Sequence, residues 1–181
     1  STESVGFAVT GFLKPPAFIS ANGSLEICNG QSITLSANSS AGVIYQWYRN
    51  DTLVQGATSQ FYSANKTGNY FVKELNINNC DSTSNILHVE VYAYPQAQIV
   101  LSGSPYTCLS STSSLSLSST PDFTYVWLKN GNSTGITDTF FVASGTTSDT
   151  YSVLVTNHGI CSDTSNSIQI NPAPPLAQIC Y

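Results

Sequence analysis

A chain of 181 residues exceeds one small domain and fits two of about 90 residues each. Only 8% of its residues are charged while 41% are apolar, so it has the means to bury a core and is not a disordered tail. The net charge of −5 and five scattered basic residues argue against nucleic acid as a partner, and no apolar run approaches the roughly 20 residues of a membrane-spanning helix. Ten tyrosines, eight phenylalanines and abundant Val and Ile suit half-buried strands, Met is absent, and no long stripe of period 3.6 marks a major helix. The expected class is all-β.

The elements come twice. Laid on itself at an offset of 80, the chain aligns Cys28 with Cys108, Trp47 with Trp127, and Pro15 with Pro95 and Pro175. Past the middle the offset becomes 81, pairing Tyr70 with Tyr151, Cys80 with Cys161 and Ser84-Asn85 with Ser165-Asn166. Agreement at so many landmarks is an internal repeat. Residues 1–14 read as the last strand of a preceding repeat, because Ser1-Thr2-Glu3-Ser4 falls on Asp81-Ser82-Thr83-Ser84 and Phe7 and Val9 fall on Leu87 and Val89. Residues 15–94 then form a first domain and 95–174 a second, and 175–181 open a further repeat. The parent protein is expected to extend on both sides. No leader peptide is visible at Ser1, so export has to be inferred from other features.

In the first domain, Ser32 to Ala37 alternates polar and apolar residues, the period of a strand with one buried face. Tyr45 to Arg49 alternates around Trp47 and stops at the turn dipeptide Asn50-Asp51. Gly68 to Val72 and Ile86 to Val91 supply two more strands. The second domain repeats the set with Ser114–Ser118, Tyr125–Lys129 ending at Asn130-Gly131, Asp149–Val155 and Ser167–Ile170. Short strands separated by turn signals predict a two-sheet sandwich.

These residues resemble an immunoglobulin domain. A tryptophan on the third strand is followed by Gly-x-Tyr-x-Val at Gly68–Val72 and by Asp-x-Tyr-x-Val at Asp149–Val153, the neighbourhood of a tyrosine corner. Val72 and Val153 stand where antibody domains carry a cysteine, and Leu35 and Leu115 stand at the partner position, so aliphatic packing is expected to replace the central pin. The displaced cysteines, in the pattern Cys-x-Gly-x-Ser-Ile-x-Leu, Tyr-x-Trp-Tyr, Gly-x-Tyr and Asn-Cys-x-Ser-x-Ser-Asn, are similar to Ig-like repeats in large surface and secreted proteins of Bacteroidota. Gliding-motility adhesins and type IX secretion cargo are among those proteins. Repeat 2 departs from the pattern at Leu109 and Ser110.

Each repeat holds two cysteines at matching places, which suggests disulfides Cys28–Cys80 and Cys108–Cys161 within the domains. Closing a loop of about 50 residues is worth about 4 kcal/mol on the chain-entropy account, much for so small a core. Cys180 has no counterpart, since Val100 occupies its place, and it is left to pair outside the fragment or between chains, or to stay a thiol. The rival reading of the cysteines, a metal site, lacks paired C-x-x-C knuckles. No metal or cofactor is expected.

Catalytic signals are weak. The two histidines, His88 and His158, lie in different repeats, the ten carboxylates are dispersed, and no nucleophile elbow, zinc motif or phosphate loop occurs. Asp149 reads as the tether of a turn. Strand alternation places Tyr48 and Phe71 on the outer face of neighbouring strands, a candidate ring pair for stacking on glycan. Asn22, Asn38, Asn50, Asn65 and Asn132 begin Asn-x-Ser/Thr sequons. The resemblance implies O-glycosylation at Asp51-Thr52-Leu53 and Asp81-Ser82-Thr83, on Thr52 and Ser82. The functional expectation is a non-enzymatic, extracellular, disulfide-stapled spacer in a long adhesive array, whose partners are neighbouring Ig-like repeats. The alternatives are a glycan- or protein-binding module and an accessory domain of a secreted hydrolase.

Overall fold

The computed structural model describes residues 13–108, 111–117, 123–144 and 147–174. The chain divides into two compact units, Ser1–Val91 and Tyr92–Tyr181. The first contains β1 (Ile19–Ala21), β2 (Glu26–Cys28), β3 (Ile33–Ala37), β4 (Val43–Arg49), β5 (Thr52–Leu53), β6 (Phe61–Ala64), β7 (Gly68–Asn76), β8 (Asp81–Thr83) and β9 (Leu87–Tyr92). Strands β1, β3 and β6 make one sheet in the order β1-β3-β6. The other runs β2-β9-β7-β4-β5, with β8 also on β7. Among the described residues all regular structure is β, as expected, and each unit is an Ig-like sandwich.

The second unit repeats the plan with β10 (Ile99–Ser102), β11 (Tyr106–Thr107), β12 (Ser113–Leu117), β13 (Phe123–Lys129), β14 (Asn132–Ser133), β15 (Phe140–Ala143), β16 (Asp149–Asn157), β17 (Cys161–Thr164) and β18 (Ile168–Pro172). Its sheets are β10-β12-β15 and β11-β18-β16-β13-β14, with β17 on β16. In both units the first strand lies in the small sheet, and the chain then crosses to the large one. There β11 runs parallel to β18, with Tyr106 opposite Asn171.

Alternation makes the cores. Ile33, Leu35 and Ala37 of β3 point inward against Trp47, Tyr70, Val72 and Val89. Leu115, Trp127, Tyr151 and Val153 do the same in the second unit. Trp47 and Trp127 are fully buried, and each indole N–H still donates to a backbone carbonyl, that of Ser59 at 2.8 Å and that of Asp138 at 2.9 Å. Leu35, Val72, Leu115 and Val153 are all fully buried, so an aliphatic pin holds the two sheets. The Tyr70 hydroxyl donates to the Lys66 carbonyl at 2.7 Å, closing the tyrosine corner. The hairpins after β4 and β13 turn at Asn50-Asp51 and Asn130-Gly131, all at positive φ, which Asn, Asp and Gly tolerate best.

The Ser-Asn pair shared by the repeats has a structural task. Asn85 accepts from the Ile19 amide at 2.8 Å and donates to its carbonyl at 3.0 Å, so a side chain from the loop between β8 and β9 completes β1 of the small sheet. Asn166 holds Ile99 in the same way, at 2.8 and 3.1 Å. The preceding serine accepts from the amide of the central strand, Ser84 from Val72 and Ser165 from Val153, both at 3.0 Å.

The strand registers correct the expected disulfides. Cys80 lies in the hairpin after β7, whose Asn76 donates to the Leu13 carbonyl at 2.9 Å, at the end of the sandwich where the chain comes in. Cys28 closes β2 beside β9, where the Glu90 amide donates to Leu25 at 2.8 Å, at the end where the chain goes out. Strand β7 separates these ends: Asn76 faces Val43 at one and Gly68 faces Val89 at the other. Eight residue steps at about 3.3 Å amount to roughly 26 Å, while bridged Cα atoms lie within about 7 Å. Cys28–Cys80 therefore does not form. Cys108–Cys161 fails for the same reason, since Cys161 faces Asn157 at one end of β16 and β18 meets Asp149 at the other.

Candidate functional site

Tyr48 and Phe71 face each other across β4 and β7, and their rings stack at 5.0 Å with an interplanar angle of 1°. The Lys73 ammonium sits 5.3 Å from the Tyr48 ring centre. The pair exists, but it is not the open platform that alternation alone implied: Phe71 is only 7% exposed. Each ring spends one face on the other, so a sugar has little of Phe71 to stack on. In the second unit Leu128 faces Ser152 at these positions, and no ring pair forms there.

A groove of about 630 Å³ opens at the corner beside Arg49, Asn50, Gln55, Tyr62 and Lys66. Tyr62 stacks on Trp47 at 5.5 Å and leans on Tyr70 at 5.6 Å, so the core fixes its position. No spacing in the sequence signals this groove, because its residues come from the end of β4, from β5 and the loop after it, from β6, and from the segment between β6 and β7.

The histidines stay apart in their roles. His88 is bound by Asn69 and by Glu90 at 3.0 Å on an exposed strand face, while His158 stacks on Tyr92 with ring centres 4.4 Å apart. Asp149 tethers a turn: its carboxylate accepts from Asn130 at 2.8 Å and Thr147 at 2.9 Å and pairs with Lys129 at 2.9 Å. The Lys129 and Asn130 contacts hold the Asp149 carboxyl below the usual carboxylate range.

Glu74 is the residue that sequence reasoning passed over. It is fully buried, and among the described residues neither carboxyl oxygen has a hydrogen-bond partner. Burial pushes its pKa above the usual carboxylate range, and the nearby Asn38 side chain does not offset this. Val155 is the corresponding residue of the second unit, each facing a tyrosine of the adjacent strand, Tyr45 or Tyr125.

Among the described residues, no group of three or more His, Cys, Asp or Glu could hold a metal ion, and no helix is long and apolar enough to cross a membrane. Thr52 is exposed and Ser82 half-buried in β8, while Asn22, Asn50, Asn65 and Asn132 are exposed. The amides of Asn38 and Asn50 are engaged with the backbone of Phe18 and Asn69 at 2.7 and 2.8 Å. Cys28, Cys108 and Cys161 are each in a disulfide, and Cys180 lies outside the described residues.

Residues 15–95 match the model of the family described as Ig-like domain CHU_C associated. No curated protein matches the chain. Among solved structures, murine CEACAM1b is similar at 13% identity over 87% of this chain and 100% of its own, with a TM-score of 0.51. The structure described as a mouse coronavirus receptor-binding domain complexed with its murine receptor contains a chain similar at 14% identity, covering 87% of this chain and 100% of that one, with a TM-score of 0.55. The titin fragment I67–I69, in a variant form, is similar at 13% identity over 87% of this chain and 66% of its own, with a TM-score of 0.52. At such identities the likeness is one of fold, and the first repeat is similar to an Ig-like domain CHU_C associated.

Proposed function

We propose that this chain is a non-catalytic extracellular fragment whose Ig-like repeats act as spacers in a large cell-surface adhesin. One observation carries the reading: what the two units share is architectural, and what differs is surface. Both keep the buried tryptophan, the aliphatic pin, the Ser-Asn clasp on the first strand and the asparagine that holds the incoming chain. The Tyr48–Phe71 stack is confined to the first unit. A module selected for one ligand would be expected to repeat its binding face along with its scaffold. Disulfide-bonded cysteines favour an oxidising compartment outside the cytosol. The repeat signature, similar to that of Bacteroidota surface proteins, points to gliding adhesins or secreted cargo as the kind of parent.

The test is a binding screen of the purified chain against extracellular polysaccharides and host-surface glycans. A spacer gives no saturable binding. Saturable binding that Tyr48→Ala abolishes, with the fold intact by circular dichroism, would replace the spacer role by a binding one.

A further inference from the structure

We propose that the groove of the first repeat binds a carboxylate side chain, aspartate or glutamate, carried on an extended acidic segment of another protein. A spacer role needs no such ligand, so the site goes beyond it and belongs to this repeat alone.

The second repeat shows what the groove lacks. There the Asp149 carboxylate is gripped by three donors: the Lys129 ammonium at 2.9 Å, the Asn130 amide at 2.8 Å and the Thr147 hydroxyl at 2.9 Å. On the repeat alignment Lys129 corresponds to Arg49, Asn130 to Asn50 and Thr147 to Lys66, while Asp149 corresponds to Gly68. The backbone frame is kept. Arg49 faces Tyr70 as Lys129 faces Tyr151. The Asn50 side-chain oxygen accepts from the Asn69 amide at 2.8 Å, as that of Asn130 accepts from Thr150. Donors therefore stand at all three places, and the acceptor is gone. Arg49, Asn50 and Lys66 line the groove and no carboxylate does; among the described residues neither cation has an ion-pair partner. Two of the five basic residues in a chain of net charge −5 thus converge on one opening.

Gly68 also explains why the missing carboxylate comes from outside. A Cβ there would meet the Arg49 stem at 2.9 Å, so the stem lies over the glycine and its guanidinium is carried on toward the Tyr70 hydroxyl at the groove. A guanidinium matches a carboxylate through two parallel hydrogen bonds, the strongest polar contact such an opening can make. A peptide suits this groove better than a sugar. The one ring in its lining, Tyr62, spends itself on Trp47 and Tyr70 and leaves a sugar nothing to stack on. Strand β5, by contrast, is the edge of the large sheet, with its outer backbone groups open to an added strand.

Fluorescence anisotropy of labelled hexaglutamate, titrated with the whole chain, tests the proposal. Saturable binding is expected in dilute buffer, weakening as salt rises. Arg49→Gln should weaken it about tenfold. Gly68→Asp, which restores the carboxylate that the second repeat carries, should weaken it as much, with both folds intact by circular dichroism. Tyr48→Ala should leave it unchanged, so this proposal and the spacer role fail separately. No saturable binding, binding indifferent to both Arg49→Gln and Gly68→Asp, or equal binding of hexagalacturonate, a sugar chain with as many carboxylates, would overturn the proposal.

Discussion

Replacing Glu74 with valine should stabilise the first repeat. The carboxyl is shut off from water and, among the described residues, has no hydrogen-bond partner, whereas the second repeat carries Val155 at the same position with 2% exposure. An unsatisfied buried polar group costs about 1–3 kcal/mol, more when charged, and a buried valine recovers apolar area. Glu74→Val should therefore gain about 2–3 kcal/mol at neutral pH, which at about 4–8 °C per kcal/mol raises Tm by roughly 8–24 °C. The pH dependence separates this cause from better packing. Burial raises the folded pKa above the unfolded one of about 4.3, so the repeat is most stable below that value and loses stability as pH rises through the folded pKa. Glu74→Gln should abolish that slope while keeping the shape. Urea unfolding in a Trp127→Phe background leaves Trp47 as the sole indole reporter and follows the first repeat alone. A destabilised Glu74→Val, or a pH slope that survives Glu74→Gln, would refute the reasoning.

The second repeat should respond to acid in the opposite sense. The Asp149 pKa is lowered, chiefly by Lys129 and then Asn130, so its stabilisation is present above the unfolded pKa and is lost as pH falls through the folded one. Asp149→Asn should remove that acid loss, and Trp127 fluorescence in a Trp47→Phe background reads it. Asn85→Ala strips both strand contacts from Ile19 and should cost the first repeat about 1–3 kcal/mol; Asn166→Ala should do the same to the second. Equal losses in the two repeats, measured by urea unfolding, would mark the clasp as common architecture, and a negligible loss in both would remove its structural role.

Much of the fold was legible because its signals are local or repeated. The alternation in Ile33–Ala37 and around Trp47 predicted both cores, and the self-alignment exposed Ser84-Asn85 without revealing what the pair grips. Strands such as β2, β5 and β8 were missed because two or three residues are too few to show a period. The inner reach of β7 was hidden by Glu74, a charged residue at an inward position where Val155 stands in the copy.

The chain by itself determined the class, the duplication, the tryptophan-centred cores and the turn at Asn50-Asp51, because each rests on residue type and spacing along one strand or one hairpin. Tertiary structure decided the rest. Which end of a sandwich a cysteine occupies depends on strand order and direction, so two cysteines at matching sequence positions in every repeat turn out to lie at opposite poles. Whether Phe71 is open or covered depends on a ring contributed by a neighbouring strand. Contacts of that kind join residues by distance through space, which no one-dimensional pattern records.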